Sequence, residues 1–254
     1  MKLQNLNDDD LLFLRRVDDF AKATEKYKSP QFTRFISPHE RVLFEQNADT
    51  SPFVTAMIWG GDTQCERCVI GFFPDFCEPL ETLFPICALR VEAPQALEHR
   101  EILGSVLGLG IERCLIGDIV MTKEKNAVLF CMDSIADFIR MNLVRVGRQK
   151  VRVETADLSE IVLSPKQTKE ISGTVASLRL DSVVGLATGR SRTKAQEMIE
   201  ASLVQKNWMT EENPSCIVSE GDIFSVRGVG RMRLSQVQGE TKKGRIRIRI
   251  EQYI

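Results

Sequence analysis

This 254-residue sequence predicts an α+β protein in three successive parts, expected at residues 1–77, 78–165 and 166–254. Three observations carry that expectation. Apolar residues switch between helical and alternating spacing over residues 8–73. Residues 85–155 hold a regular succession of strand-like and helix-like runs. From Arg179 onward the runs shorten and cations accumulate.

In the first part, Asp8, Asp9 and Asp10 supply negative charge where a helix N-terminus favours it. Leu11, Leu14, Val17 and Phe20 follow at helical spacing, so a helix is predicted over 8–28, closed by Pro30. Ser37-Pro38 opens a second helix, with serine as cap and proline in the first turn. Residues 53–59 and 68–73 read as strands around a Gly60-Gly61-Asp62 turn. The result is a small N-terminal α+β module.

The second part reads strand 86–91, helix 98–107, strand 117–121, strand 127–131, helix 133–141 and strand 144–154, with a turn at 123–126. That β-α-β-β-α-β order is the ferredoxin-like split βαβ arrangement, which many RNA-binding modules share without its fixing a function. Arg140, Arg145, Arg148, Lys150 and Arg152 give this middle domain a candidate RNA-facing surface. Residues 156–178 read as a connection, broken by Ser164-Pro165 and Ser172-Gly173.

The third part carries the clearest chemistry. A short helix is expected over 183–187 and a second from Ser191, with Ala195, Met198, Ile199, Ser202 and Leu203 on one apolar stripe. Ser191 is a good N-cap. Arg190, Arg192 and Lys194 crowd the positive end of that helix, which costs it stability and suits an anionic partner. The alternation Arg245-Ile246-Arg247-Ile248-Arg249-Ile250 predicts a strand with an isoleucine face and an arginine face, the latter expected to meet phosphates beside the basic helix. Arg231 joins this cationic set.

Charge totals agree with a local basic surface. The formal net charge is −1, yet from Arg179 onward 13 Lys and Arg stand against 9 Asp and Glu, leaving 21 against 26 before it. With 43% hydrophobic and 27% charged residues, the composition is that of a soluble globular protein. The N-terminus MKLQNLNDDD lacks the cationic start and apolar stretch of a secretory leader. The longest apolar run, 102–111, is about half a membrane span. A cytoplasmic monomer with reduced thiols and no cofactor is therefore expected. Of the seven cysteines, only Cys65 and Cys68 form a C-x-x-C pair, half of what a structural zinc site needs. Gly104, Gly108 and Gly110 fall late in a helix, not before one as a phosphate loop requires. His39 and His99 sit in no nucleophile motif.

A resemblance then joins these pieces. Arg179-Leu180-Asp181, a helix beginning Ser191-Arg192, the turn at Lys206-Asn207 and Gly221-Asp222-Ile223 before Val226-Arg227 resemble, over about 179–230, the small RNA-binding domain first seen in ribosomal protein S-four. The resemblance implies RNA contacts from Arg179, Arg192, Lys194, Lys206 and Arg227. Ser202 and Trp208 stand where glycines are usual, so the turn after Asn207 is expected to be built differently. Residues 99–119, 172–181 and 239–248 extend the likeness, and the chain is similar nearly end to end to the YlmH family. That resemblance implies a bacterial, cytosolic, non-catalytic RNA-binding protein. It would bind ribosomal RNA and tRNA on a large ribosomal subunit carrying peptidyl-tRNA, in ribosome-associated quality control. The rivals are an RNA-modifying enzyme of pseudouridine-synthase type, whose catalytic Asp lies in an Arg-Leu-Asp context, and a cell-division-linked adaptor. Asp181 is expected instead to be a helix-start residue, and Arg192→Glu to weaken RNA binding while leaving folding intact.

Overall fold

The computed structural model describes residues 6–47, 51–122, 126–158, 168–241 and 244–253. The chain forms two compact units, residues 1–164 and 165–254.

In the first unit, α1 (Asp8–Tyr27) is capped by Asn7, whose side chain accepts the Asp10 N–H at 2.8 Å while the Asp10 carboxylate takes the Asn7 N–H. Phe13, Val17, Ala21 and Thr24 form its buried stripe. Short β1 (Gln31–Phe32) precedes α2 (Pro38–Asn47), where Ser37 and Glu40 exchange a second reciprocal cap. Strands β2 (Val54–Trp59) and β3 (Val69–Pro74) complete an antiparallel sheet in the order β1-β3-β2.

The middle domain follows as β4 (Ile86–Glu92), α3 (His99–Leu107), β5 (Ile116–Met121), β6 (Ala127–Met132), α4 (Asp133–Asn142), a hairpin of β7 (Arg145–Val146) and β8 (Gln149–Lys150), then β9 (Arg152–Ala156). Among the described residues its sheet runs β5-β6-β4-β9, antiparallel throughout, which is the ferredoxin-like order. One strand was expected over 144–154. Gly147, at φ 56°, instead folds it into the hairpin, and only β9 reaches the sheet. The turn expected at 123–126 lies largely outside the described residues.

The two faces of this sheet differ in what covers them. Leu89, Leu129 and Cys131 pack with Ile102 and Val106 of α3 and Ile139 of α4. Ala88, Val128 and Phe130 pack with Phe35, Val69 and Phe73 of the N-terminal module, and with Phe84 from the segment just before β4. The sheet is thus buried on both sides.

In the second unit, β10 (Thr168–Val175) occupies part of the segment read from the sequence as a connection. It pairs along its whole length with β15 (Ile246–Tyr253). Gly173 is an ordinary strand position where a Cβ would come within 2.5 Å of Leu186, so the glycine admits a helix instead of breaking the strand. The Ser164-Pro165 breaker lies outside the described residues. Between these strands come α5 (Leu180–Thr188), α6 (Arg192–Glu200), β11 (Val204–Lys206), β12 (Met209–Thr210), β13 (Ile223–Val226) and β14 (Gly230–Glu240). The sheet order is β10-β15-β14-β13-β11-β12. Both helices pack on one face of it, where Val183, Val184, Ala195 and Ile199 meet Phe224, Met232, Leu234, Ile248 and Ile250.

Candidate nucleic-acid interface

The junction of α5 and α6 is built by local signals. Gly189, at φ 65°, ends α5, and the Ser191 hydroxyl accepts the Lys194 N–H at 3.2 Å to start α6. Arg190, Ser191, Arg192 and Lys194 are all exposed there.

Asp181 explains part of the cation cluster. Its side chain is fully buried at the start of α5. It accepts hydrogen bonds from Arg179 Nη2 at 2.9 Å, Arg192 Nη2 at 3.0 Å, Gln196 Nε2 at 2.9 Å and Ser182 Oγ at 3.1 Å. Burial pushes this carboxyl up, but the hydrogen bonds from Arg179, Gln196, Arg192 and Ser182 outweigh it and hold the group well below the usual carboxylate range. Arg179 and Arg192 are therefore fixed from behind by an anion while their guanidinium groups stay 32% and 53% exposed. Arg192→Glu would set two carboxylates against each other, so the expectation that it leaves folding intact is corrected.

The remaining expected residues separate. Lys194 pairs with Glu197 at 2.6 Å, both more than half exposed, a contact worth little. Among the described residues no carboxylate pairs with Arg190, Arg227 or Arg247. Lys206 and Asn207 make contacts within the fold. The Lys206 ammonium meets Asp222 at 3.0 Å and the Ile217 carbonyl at 2.7 Å. Asn207 donates to Asp222 and accepts the Ile223 N–H. Burial pushes the Asp222 carboxyl up, but hydrogen bonds from the Ser219 N–H, Asn207 and Lys206 leave it lowered.

Asn207 and Trp208, at φ 48° and 63°, form the two-residue loop between β11 and β12. Positive φ at both positions is the hairpin geometry that glycine usually serves, so the turn keeps its form although tryptophan stands there. Ser202 likewise adopts φ 56°.

A single cationic face was expected, and the structure shows two. Ile246, Ile248 and Ile250 point to the helices, so Arg247 and Arg249 lie on the opposite side of the sheet. Arg231 shares that open face, 4.9 Å over the Tyr253 ring. Arg245 binds the Thr174 hydroxyl and carbonyl at its margin. The arginine strand is therefore behind the basic helix, not beside it.

In the middle domain, Arg140 pairs with Asp137 and Arg152 with Glu154, while Arg145, Arg148 and Lys150 stand exposed on the β7–β8 hairpin. Sequence reasoning passed over Phe138, Met141 and Val144, which are 47%, 67% and 62% exposed and precede the hairpin in the chain. Their signal was available: Ala136 and Ile139 define the buried stripe of α4, and Phe138 and Met141 fall off it.

Cys65 and Cys68 are buried, and no group of three or more metal-binding side chains occurs among the described residues. Burial pushes the Cys68 thiol up to about 11 and raises Cys65 further, opposing the thiolate that a metal or redox reaction uses. No helix of the described residues is long and apolar enough to cross a membrane.

Three comparisons bear on this geometry. A family model described as "Putative RNA-binding domain in YlmH" matches residues 79–160, the middle domain. The chain is 31% identical over 98% of its length, and 97% of the relative's, to the "Ribosome-associated protein quality control protein P2" of Bacillus subtilis. A solved structure, "Cell division protein ylmH from Streptococcus pneumoniae", is similar with a TM-score of 0.51 and 26% identity, covering 63% of this chain and 98% of that one.

Proposed function

The chain belongs to the YlmH family, and from that premise we propose that it is a non-catalytic RNA-binding protein of ribosome-associated quality control. It acts as a cytoplasmic monomer that grips structured ribosomal RNA and tRNA on a large subunit carrying peptidyl-tRNA. The observation that carries this reading is the α5–α6 junction. Arg179 and Arg192 are preset by a buried carboxylate, and Arg190 and Lys194 stand beside the N–H groups of a helix start. Preset cations at such a start suit the phosphates of folded RNA, which is read largely by shape.

The pseudouridine-synthase reading requires the Asp of Arg-Leu-Asp to reach a substrate. Asp181 is wholly buried and saturated with hydrogen bonds, which supports a structural role for it. Comparing the modifications of ribosomal and transfer RNA with and without the protein, by mass spectrometry, tests the enzyme reading directly. The adaptor reading draws on the name of the Streptococcus pneumoniae structure, and partners that stay bound after nuclease treatment would favour it.

Sedimentation of tagged protein through sucrose gradients tests the main proposal. The protein should travel with large subunits, leave them as salt rises, and crosslink to their RNA. Arg190→Glu should weaken that association about tenfold, through one lost and one opposed phosphate contact, with the melting temperature reporting separately the loss of the Arg190 Nη1 contact to Met198 Sδ at 3.3 Å. Unchanged co-sedimentation of the Arg190→Glu protein would remove the α5–α6 junction from the interface.

A further inference from the structure

The middle domain has the architecture of modules that stack unpaired bases on an open sheet. Here that route is closed. Val128 and Phe130 of β6 are buried against Phe35, Val69 and Phe73 of the N-terminal module, and the other sheet face lies under α3 and α4. Any RNA contact must use another surface.

We propose that residues 138–150, the outer end of α4 and the β7–β8 hairpin, form a site for an unpaired RNA segment, with Phe138 as a base-stacking platform. The proposal rests on the RNA-binding reading and deepens it. Two independent observations point to a polyanion with apolar faces.

The first is charge. Arg145 and Lys150 stand directly opposite each other in the hairpin, and like charges so placed repel. Arg148 sits on the turn between them, and no carboxylate of the described residues pairs with any of the three. A phosphate backbone along the hairpin removes the repulsion. The second is the exposure of Phe138, Met141 and Val144, on the end of α4 and in the segment that leads directly into the hairpin. Phe138 and Met141 are three residues apart on α4, hence neighbours on its surface. Val144 accepts the Val151 N–H at 3.1 Å at the hairpin base. A duplex hides its base faces within its own stack and offers phenylalanine nothing. Unpaired bases expose theirs, and a ring flanked by cations is the arrangement that holds them.

Fluorescence anisotropy of the full chain decides the matter, with a labelled unstructured RNA oligonucleotide and an RNA duplex of equal length. Phe138→Ala should weaken single-strand binding by about fivefold or more and leave duplex binding within about twofold. Phe138→Trp should bind the single strand at least as well as the parent. Arg148→Glu should flatten the salt dependence of single-strand binding by about one phosphate contact. Equal affinities for parent and Phe138→Ala, an equal loss on both RNAs, or failure of Phe138→Trp to bind the single strand as the parent does overturns the stacking site. A parent that binds the duplex but not the single strand overturns this site alone. A parent that binds neither RNA overturns the RNA-binding reading along with it.

Discussion

Asp181 shows how one buried carboxylate can organise a cationic surface. A helix that opens with arginine and lysine works against its own dipole, and exposed cations at close range repel. Asp181 offsets both penalties from inside the fold, taking hydrogen bonds from Arg179 and Arg192 whose outer edges remain in water. Asp181→Asn keeps the shape and removes the charge. It should destabilise the protein by about 2 kcal/mol in urea denaturation, below the cost of orphaning a fully buried pair because both guanidinium groups can rehydrate. The pH dependence follows from the lowered carboxyl. A group whose folded-state pKa is depressed contributes its full stability above the ordinary unfolded carboxylate value, about 3.9, and loses it as pH falls through the folded value. The stability gap between parent and Asp181→Asn should therefore stay constant from neutrality down to about pH 4 and close below it. A gap that closes between pH 7 and 5 would show that another group controls the junction.

At the scale of elements, the β11–β12 hairpin carries the best test of local geometry. Asn207 adopts φ 48°, donates to Asp222 and accepts the Ile223 N–H, so it fixes both the turn and its neighbour β13. Asn207→Ala should cost about 2 kcal/mol, combining the strained φ with an unsatisfied Ile223 N–H. Asn207→Gly should recover the part due to φ and no more. Equal losses in the two variants would leave the hydrogen bonds as the whole cause. The sequence located this turn but expected it to be built differently after Asn207, because it weighed the missing glycine and not the hydrogen bonds that hold the positive φ. The Ser37 and Ser191 caps of α2 and α6 were legible because each lies within four residues of its partner. Nonlocal features escaped. β10 finds its partner 71 to 85 residues away in β15, and its Ser172-Gly173 pair reads as a break until Leu186 is seen against the glycine. The alternation of β15 disclosed two faces but not which one the helices cover. The burial of Asp181 depends on Arg192, eleven residues on, and on packing that no single window contains.

At the scale of the whole molecule, the sequence divides the first 165 residues into two parts, while their side chains build a shared core. Val128 and Phe130 face Phe35, Val69 and Phe73 across the boundary, and Arg67 donates to the carbonyls of Phe35 and Ile116, which lie on opposite sides of it. The third part differs: among the described residues, its core cluster is made of residues within 171–250. A fragment spanning 166–254 should therefore give a cooperative thermal transition and dispersed amide resonances on its own. A fragment spanning 78–165 should not, despite its complete ferredoxin-like element order. Freed of the N-terminal module, it would expose Ile86, Ala88, Val128, Phe130 and Met132 on one sheet face. Returning large apolar side chains to water costs about 1.5–3 kcal/mol each, so four of them suffice to cancel the roughly 5–15 kcal/mol by which a domain is stable. The expected product is aggregated or dye-binding, with strand signal in circular dichroism but no sharp melt. A sharply melting 78–165 fragment would mean that the N-terminal module rests on the middle domain without supporting it.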